Sequence, residues 1–452
     1  MKENRTYYEL NPSQEVVRMQ LLFSLDKRVI NILASATSDS QLDWDILEQA
    51  MQKSFERNDC LHIKFVKRKR KWMQYFDENA KLDEIKHLKF GTKGEQEKFI
   101  ENLAKNPIKY KKGKVIEIYF VETYDKKAMI LLKVCHLVLD MYGINILFND
   151  VFGIYNALKN GTEMPKEPAK FEEVLKKDIE RKNNEQIKER NYQFFYDYYK
   201  DKPEPYYAGC HGNKTNYGKK YFNKRLMKMF FVKNQTVAFM KNIDGELGKQ
   251  MFDYCQKFKV SPANFLFFAC TLTQSKLNDN TENQLQLELA NCRATMQERT
   301  CAGTKAQSLG CYITIKQDKT IEENFNIFNA NQTLYYRHLG MSDMIYQNLT
   351  HKIWKSSPIK TYYALAYSFI PFVKPQGVSI QMYSNGKFAL PLYFGVMYDI
   401  NTHEMVVAYE CQKKLYNEAL IDNYHNNLMY IIKQMLTSPQ TYVKDVKLLE
   451  DK

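Results

Sequence analysis

His136 and Asp140 are the two side chains of this sequence best placed to do chemistry. They stand four residues apart in Lys133-Val134-Cys135-His136-Leu137-Val138-Leu139-Asp140-Met141-Tyr142-Gly143. Imidazole titrates nearest neutral pH, so His136 can take a proton from an attacking nucleophile. The spacing alone is a weak signal, because a histidine beside apolar residues is more often a satisfied core group. Its surroundings add weight. Ile130, Leu131, Leu132 and Val134 form a hydrophobic strand that delivers the imidazole at its end. A short turn, Asp140, Gly143 and an amphipathic helix follow. A strand end is rigid, and the loop after it leaves room for substrate.

The elements that must position this stretch follow from periodicity. Apolar runs at 115–122 and 128–136, joined by Tyr124-Asp125-Lys126-Lys127, predict an antiparallel hairpin ending at His136. After Gly143, residues Ile144, Leu147, Phe148, Val151, Ile154, Tyr155 and Leu158 form one helical face, closed by Asn160-Gly161. Upstream, 31–36 reads as a strand. Asp39 and Ser40 offer N-caps for a helix through Leu42, Ile46, Leu47 and Met51. A hairpin over 63–76 turns at Lys67-Arg68-Lys69-Arg70-Lys71. Between 176 and 200 the chain is charged and then aromatic, which predicts one or two connecting helices. Their aromatics, Tyr192 to Tyr199, are spaced for packing. Further on, Ser261 caps a helix beginning at Pro262. Strands are expected at 284–290, 363–370, 378–383, 393–399 and 405–410, and a last helix at 417–436.

Composition narrows the class. Of 452 residues, 44% are hydrophobic and 26% charged, which describes a globular chain and excludes a disordered one. No apolar run reaches the ~18–20 residues of a membrane span. Met1-Lys2-Glu3-Asn4-Arg5 has no apolar stretch behind it, so no signal peptide is expected. The nine cysteines are scattered without Cys-x-x-Cys pairs, and no histidine falls at ligand spacing. Neither a disulfide framework nor a metal site is expected, and reduced thiols suit a cytoplasmic enzyme. The net charge is +14, but the basic residues are dispersed, and the densest run sits in a hairpin turn. That argues against nucleic acid and for an acidic protein or a phosphate-bearing thioester as partner. Nucleotide-binding glycine loops and the Gly-x-Ser-x-Gly elbow are absent.

The central stretch resembles the condensation domains of nonribosomal peptide synthetases, within the acyltransferase superfamily of the chloramphenicol acetyltransferase fold. Their hallmark is His-His-x-x-x-Asp-Gly. His136 and Asp140 match its second histidine and its aspartate, Cys135 replaces the first histidine, and Met141 replaces the glycine. Gly143 falls where many members carry serine. Leu10-Asn11-Pro12-Ser13-Gln14 resembles the first motif, with Gln14 matched. Arg57, Leu61 and Phe65 match the second motif in register, where the role is structural. Ser308-Leu309-Gly310-Cys311-Tyr312-Ile313-Thr314 resembles a later motif, with Gly310 aligned. The resemblance covers nearly the whole chain.

It implies an α/β fold of two chloramphenicol-acetyltransferase-like lobes forming a V-shaped pseudo-dimer with a central tunnel. The lobes would be 1–175 and 211–452, joined by connector helices at 176–210. His136 is the implied catalytic residue, as base or as a positioning group. Asp140 would support it by pairing with an arginine, for which Arg293 is the candidate, and Gly143 would complete the support. Cys135, Tyr142, Gly310, Tyr312 and Ser368 are implied tunnel-lining positions. The implied reaction moves an acyl or aminoacyl group from a carrier-protein phosphopantetheine thioester to an amine. Alternatives are acyl transfer from CoA to an amine or alcohol, and a non-catalytic module that docks a carrier protein. No cofactor is bound in any of these, the acyl donor being the substrate. Carrier-attachment, adenylation and thioesterase signatures are missing. A free-standing, monomeric domain is therefore expected, served by an acidic carrier protein in trans. Without a metal in the mechanism, activity is expected to survive a chelator. Loss with chelator and restoration by zinc would contradict this reading.

Overall fold

Ala128–Cys135 is eight residues long and buried throughout, as its unbroken apolar sequence requires of a central strand. The computed structural model describes residues 5–24, 26–212, 227–228, 235–341, 343–357 and 360–449. In it this strand pairs antiparallel with Asn31–Ser38 on one side and Ile116–Glu122 on the other. Val378–Tyr383 adds antiparallel to Asn31–Ser38, and Lys86–Lys89 adds parallel to Ile116–Glu122, giving five strands. A smaller sheet joins Tyr8–Glu9, Lys71–Phe76 and Ile63–Arg68. Its tight turn places Lys69 and Arg70 at positive φ, 44° and 67°, as a two-residue hairpin of primed type demands.

The helix Trp44–Arg57 starts later than expected. Asp43, not Asp39 or Ser40, is its N-cap, accepting from the amides of Asp45 and Ile46. Strand pairing continues through Ser38, and the Asp39 amide donates to Gly377, so the chain is still extended where the sequence offered its first caps. The second motif proves structural: Ser54, Arg57 and Asn58 all donate to the Asp150 carboxylate.

The chain divides into two compact units, and the division differs from the expected order. One is Met1–Asn184 with Asn291–Ala306 and Phe372–Lys387; the other is Glu185–Ala290 with Gln307–Pro371 and Phe388–Lys452. The first unit takes two pieces from the carboxy-terminal half because Val378–Tyr383 completes its sheet over six paired residues. The Asn291–Ala306 piece joins it at the bridge between Leu139 and Gly303. Nor is the expected connector one body. Phe171–Asn183 belongs to the first unit, where Asp59 accepts from the amides of Phe171 and Glu172. Glu185–Lys200 belongs to the second.

The second unit is built on a six-stranded sheet. Its order is Ala306–Thr314, Asn283–Asn291, Ala366–Phe372, Leu392–Asp399, Met405–Gln412 and Thr236–Ile243. Helix Pro262–Leu277, capped by Ser261, and helix Glu418–Thr437, capped by Asn417, bury their apolar residues in its core. The aromatics of Glu185–Lys200 pack as expected: Phe195 stacks on Tyr335 with centroids 5.7 Å apart. The strand expected from 363 begins at Ala366, because the side chain of Gln286 accepts the Leu365 amide that a ladder would otherwise use. Among the described residues no helix is long and apolar enough to cross a membrane.

Glu288 lies buried in Asn283–Asn291. Tyr336 donates to it at 2.8 Å, Gln332 at 2.8 Å and the Cys311 thiol at 3.8 Å, all neutral groups. Burial therefore outweighs these hydrogen bonds and pushes the carboxyl from its ordinary 4.5 up to about 7. The folded chain then keeps a proton that the unfolded chain releases. The stabilisation is complete below the unfolded value and is lost as pH rises toward about 7. Glu288→Gln is expected to raise the unfolding midpoint more at pH 8 than at pH 4. Equal changes at the two pH values, by denaturant titration, would contradict this.

Candidate active site

The hydrophobic strand Ala128–Cys135 ends in a turn whose backbone is held on every side. The Cys135 amide donates to Val115 and the His136 amide to Ile30, at 2.9 and 2.8 Å. The Cys135 carbonyl accepts from the amides of Val138 and Leu139, which reverses the chain directly after the histidine. Within that turn His136 Nδ1 lies 3.1 Å from the Leu139 carbonyl oxygen. A carbonyl can only accept, so Nδ1 carries the hydrogen and Nε2 keeps its lone pair. Nε2 makes no hydrogen bond among the described residues. Burial lowers the pKa of His136, partly offset by the Asp140 charge and the Leu139 carbonyl. The imidazole is thus neutral near pH 7, half-buried, with one nitrogen ready to accept a proton.

Asp140 ends the turn and caps the helix Met141–Asn160, its Oδ1 accepting from the Gly143 amide at 2.8 Å. Arg293 grips the carboxylate with both terminal nitrogens, Nη1 to Oδ2 at 3.0 Å and Nη2 to Oδ1 at 2.9 Å. The Lys305 amide adds a fourth donor to Oδ2 at 2.8 Å. Burial opposes ionisation of Asp140. The Arg293 charge and hydrogen bonds and the two amides more than offset it and hold the carboxyl below its usual range. Arg293 is satisfied in turn by Asn291 Oδ1 and by the carbonyls of Gly303 and Cys301. Its guanidinium stands 4.6 Å from the centroid of the Tyr142 ring. Both partners are almost fully enclosed.

Cys135, Asp140, Tyr142, Gly143 and Arg293 all belong to the unit that carries His136, and the last four are joined to one another through the Asp140 carboxylate and the Arg293 guanidinium. Gly143 is confined: a Cβ there would sit 1.7 Å from the Ala302 carbonyl oxygen, so the serine of related motifs does not fit this backbone. Gly310, Tyr312 and Ser368 belong to the second unit. The tunnel-lining expectation fails on burial for Cys135 and Tyr312. Cys135 is a core residue of its strand, and burial pushes its thiol up to about 12, which also removes it as a nucleophile. Tyr312 is 1% exposed, with its hydroxyl donating to the Pro203 carbonyl at 2.7 Å. Gly310 accepts the Tyr199 hydroxyl at 2.6 Å and leaves no space for a Cβ beside the Tyr363 hydroxyl, 2.8 Å away. Ser368 is buried on Ala366–Phe372.

Two supporting groups escaped sequence reasoning. The Lys305 side chain is buried between Asp178 Oδ1 and Glu298 Oε1, at 2.6 and 2.9 Å. Burial disfavours its charge, yet these carboxylates hold its pKa above the ordinary lysine value. Nothing local in the sequence marks it: Glu298, seven residues before it, is one carboxylate among many, and Asp178 lies in a distant segment. Asn11 Nδ2 donates to Asp178 and to the Thr304 carbonyl. It sits in the first motif, which was the available signal. Among the described residues no cluster of side chains suits a metal ion.

Residues 4–201 match the family model of the Condensation domain. A 163-residue stretch is 21% identical to one of the plipastatin synthase chains of Bacillus subtilis (strain 168), covering 36% of this chain and 6% of that protein. The fold is similar to the starter condensation domain of rhizomide synthetase RzmA in complex with C8-CoA, with a TM-score of 0.81 at 14% identity over 98% of both chains. It is also similar to the first condensation domain of the calcium-dependent antibiotic synthetase, with a TM-score of 0.79 at 12% identity over 98% and 99%. The condensation domain of the monacolin K polyketide synthase MokA matches with a TM-score of 0.78 at 11% identity over 97% and 99%.

The enclosed ion pair gives a direct expectation. Leaving one member of a buried pair without the other costs roughly 3–5 kcal/mol. Asp140→Ala and Arg293→Ala are each expected to lose that much stability, and the double variant clearly less than the sum. A double-mutant cycle by denaturant unfolding measures it. Additive losses would show that the two side chains do not act as a pair.

Proposed function

We propose that this chain, with a condensation-domain match over residues 4–201 and the fold of solved condensation domains, is an acyltransferase that forms an amide from a thioester. One observation carries the reading: the Leu139 carbonyl holds the Nδ1 hydrogen of His136, and Nε2 stays neutral and unclaimed. A neutral nitrogen at a fixed strand end can receive the proton released when an amine attacks a thioester carbonyl. The new bond is carbon to nitrogen, and the bond that breaks is carbon to sulfur. His136 carries the amine proton to the departing thiolate, which leaves as a thiol. Asp140 takes no part in proton transfer, because all its oxygen capacity is used by Arg293, Gly143 and Lys305. Its charge does keep a protonated His136 within reach by opposing the effect of burial.

The donor is a thioester of phosphopantetheine or of CoA. Net charge +14 favours an acidic carrier protein as its bearer. A CoA-linked donor has its own support, because a domain of the same fold, that of rhizomide synthetase RzmA, is solved with C8-CoA. A docking module without catalysis is the weaker reading, since it gives no use to an imidazole whose tautomer is fixed and whose pKa is lowered.

His136→Ala is expected to fold as the wild type does and to lose roughly 10²–10⁴ of the transfer rate, the usual worth of general acid–base participation. Rates are read by following release of free thiol from octanoyl-CoA and from an octanoyl-loaded carrier protein, each with an amine acceptor. A folded His136→Ala variant with wild-type turnover would overturn the reading.

A further inference from the structure

Gln14 is fully buried at the first turn of the helix Pro12–Phe23, and it makes more hydrogen bonds than a helix cap needs. Its Oε1 accepts from the Asn11 amide at 3.0 Å, and its own amide donates to Asn11 Oδ1, which completes a capping box. Capping uses only that oxygen. The Nε2 group does something else: it donates to the Leu137 carbonyl at 2.9 Å and to Gln74 Oε1 at 2.8 Å. Gln74 returns a bond to Gln14 Oε1, so the amide of Gln14 is satisfied at every position.

Leu137 directly follows His136. The carbonyls of the turn are shared out among separate holders. That of Leu137 goes to Gln14, that of Val138 to the Thr304 amide and that of Leu139 to the His136 ring itself. Thr304 is tied back to the same helix start, because its carbonyl accepts from Asn11. We propose that Gln14 is a positioning residue for His136: its side-chain N–H on the Leu137 carbonyl fixes the peptide next to the imidazole and so keeps the Leu139 carbonyl on Nδ1. Without that grip the Leu137–Val138 peptide is held at one end only, by the Val138 amide on the Cys135 carbonyl; the turn loosens, the Nδ1 hydrogen loses its fixed acceptor, and the other tautomer becomes populated. That tautomer has its hydrogen on Nε2 and cannot take a proton there.

Gln14→Glu separates the two jobs of this side chain. An ionised glutamate keeps the capping oxygen and the shape but has no hydrogen to offer Leu137, so the comparison is read at about pH 9, where even a buried carboxyl with a raised pKa is ionised. The kinetic part of the test rests on the acyl-transfer reading; the spectroscopic part does not. Nitrogen NMR of protein labelled at histidine is expected to show the Nδ1–H tautomer for His136 in the wild type, assigned by the signal missing from His136→Ala. In Gln14→Glu it is expected to show a mixture of tautomers. Transfer by Gln14→Glu is expected to fall roughly ten- to hundredfold in kcat, the scale of a small misplacement of a reacting group. KM is expected to stay within about twofold. Should Gln14→Glu fail to fold, Gln14→Met removes the donor and the capping oxygen together; loss of the cap alone would lower stability without moving the His136 tautomer, so a tautomer shift in this variant still reports the lost donor. A folded variant with the wild-type tautomer and wild-type kcat would overturn the proposal. A tautomer shift in protein that transfers no acyl group would support the positioning role while counting against the proposed reaction.

Discussion

Enclosing a carboxylate and a guanidinium away from water carries a desolvation penalty of several kcal/mol per ion, and only good geometry with full hydrogen bonding offsets it. Asp140 and Arg293 meet that condition. Two parallel bonds join them, two backbone amides occupy the rest of the carboxylate, and three further acceptors occupy the guanidinium. The pair therefore acts as a joint. It fixes the first turn of Met141–Asn160 to the segment 291–306 and makes that distant segment part of the unit that carries His136. Gly143 belongs to the same joint, because the Ala302 carbonyl occupies the space of its missing side chain.

The imidazole depends on this frame more than on any contact with a charged neighbour. Its Nδ1 hydrogen goes to a carbonyl in its own turn, and that turn is closed by backbone bonds to Ile30, Val115 and Thr304 and by the Gln14 side chain. A histidine so held is neutral because burial disfavours its charge, and a base must start neutral to be useful. The adjacent Cys135 is the obvious rival for chemistry by residue type. It is excluded by the same burial, which keeps its thiol protonated.

Much of this was legible in the sequence where the signal is local. The hairpin ending at His136, the glycine cap at Gly161 and the helix after Asp140 follow from apolar periodicity and cap chemistry. Arg293 was reachable because a charge on an apolar stretch needs a partner, and the motif resemblance suggested where to look. Three things were not legible. The capture of Val378–Tyr383 by Asn31–Ser38 depends on pairing across more than 300 residues, which no window of sequence contains. Lys305 looks like any other lysine of a basic chain, and only packing reveals it between Asp178 and Glu298. Tyr312 had the right motif position for a lining residue, but alternation on a strand did not tell which face is solvated, and its ring turned to the core.

In the proposed reaction transfer is direct: the acceptor amine attacks the thioester carbonyl while His136 moves the proton, and no acyl group rests on the chain. Intact-mass spectrometry of a single turnover tests it. The chain is mixed with a stoichiometric acyl thioester, first on a carrier protein and then on CoA, and an amine is added. Direct transfer gives one equivalent of acylated amine for each thiol released, with the mass of the chain unchanged throughout. An acyl group found covalently on the chain, or thiol release with no acylated amine, would contradict it.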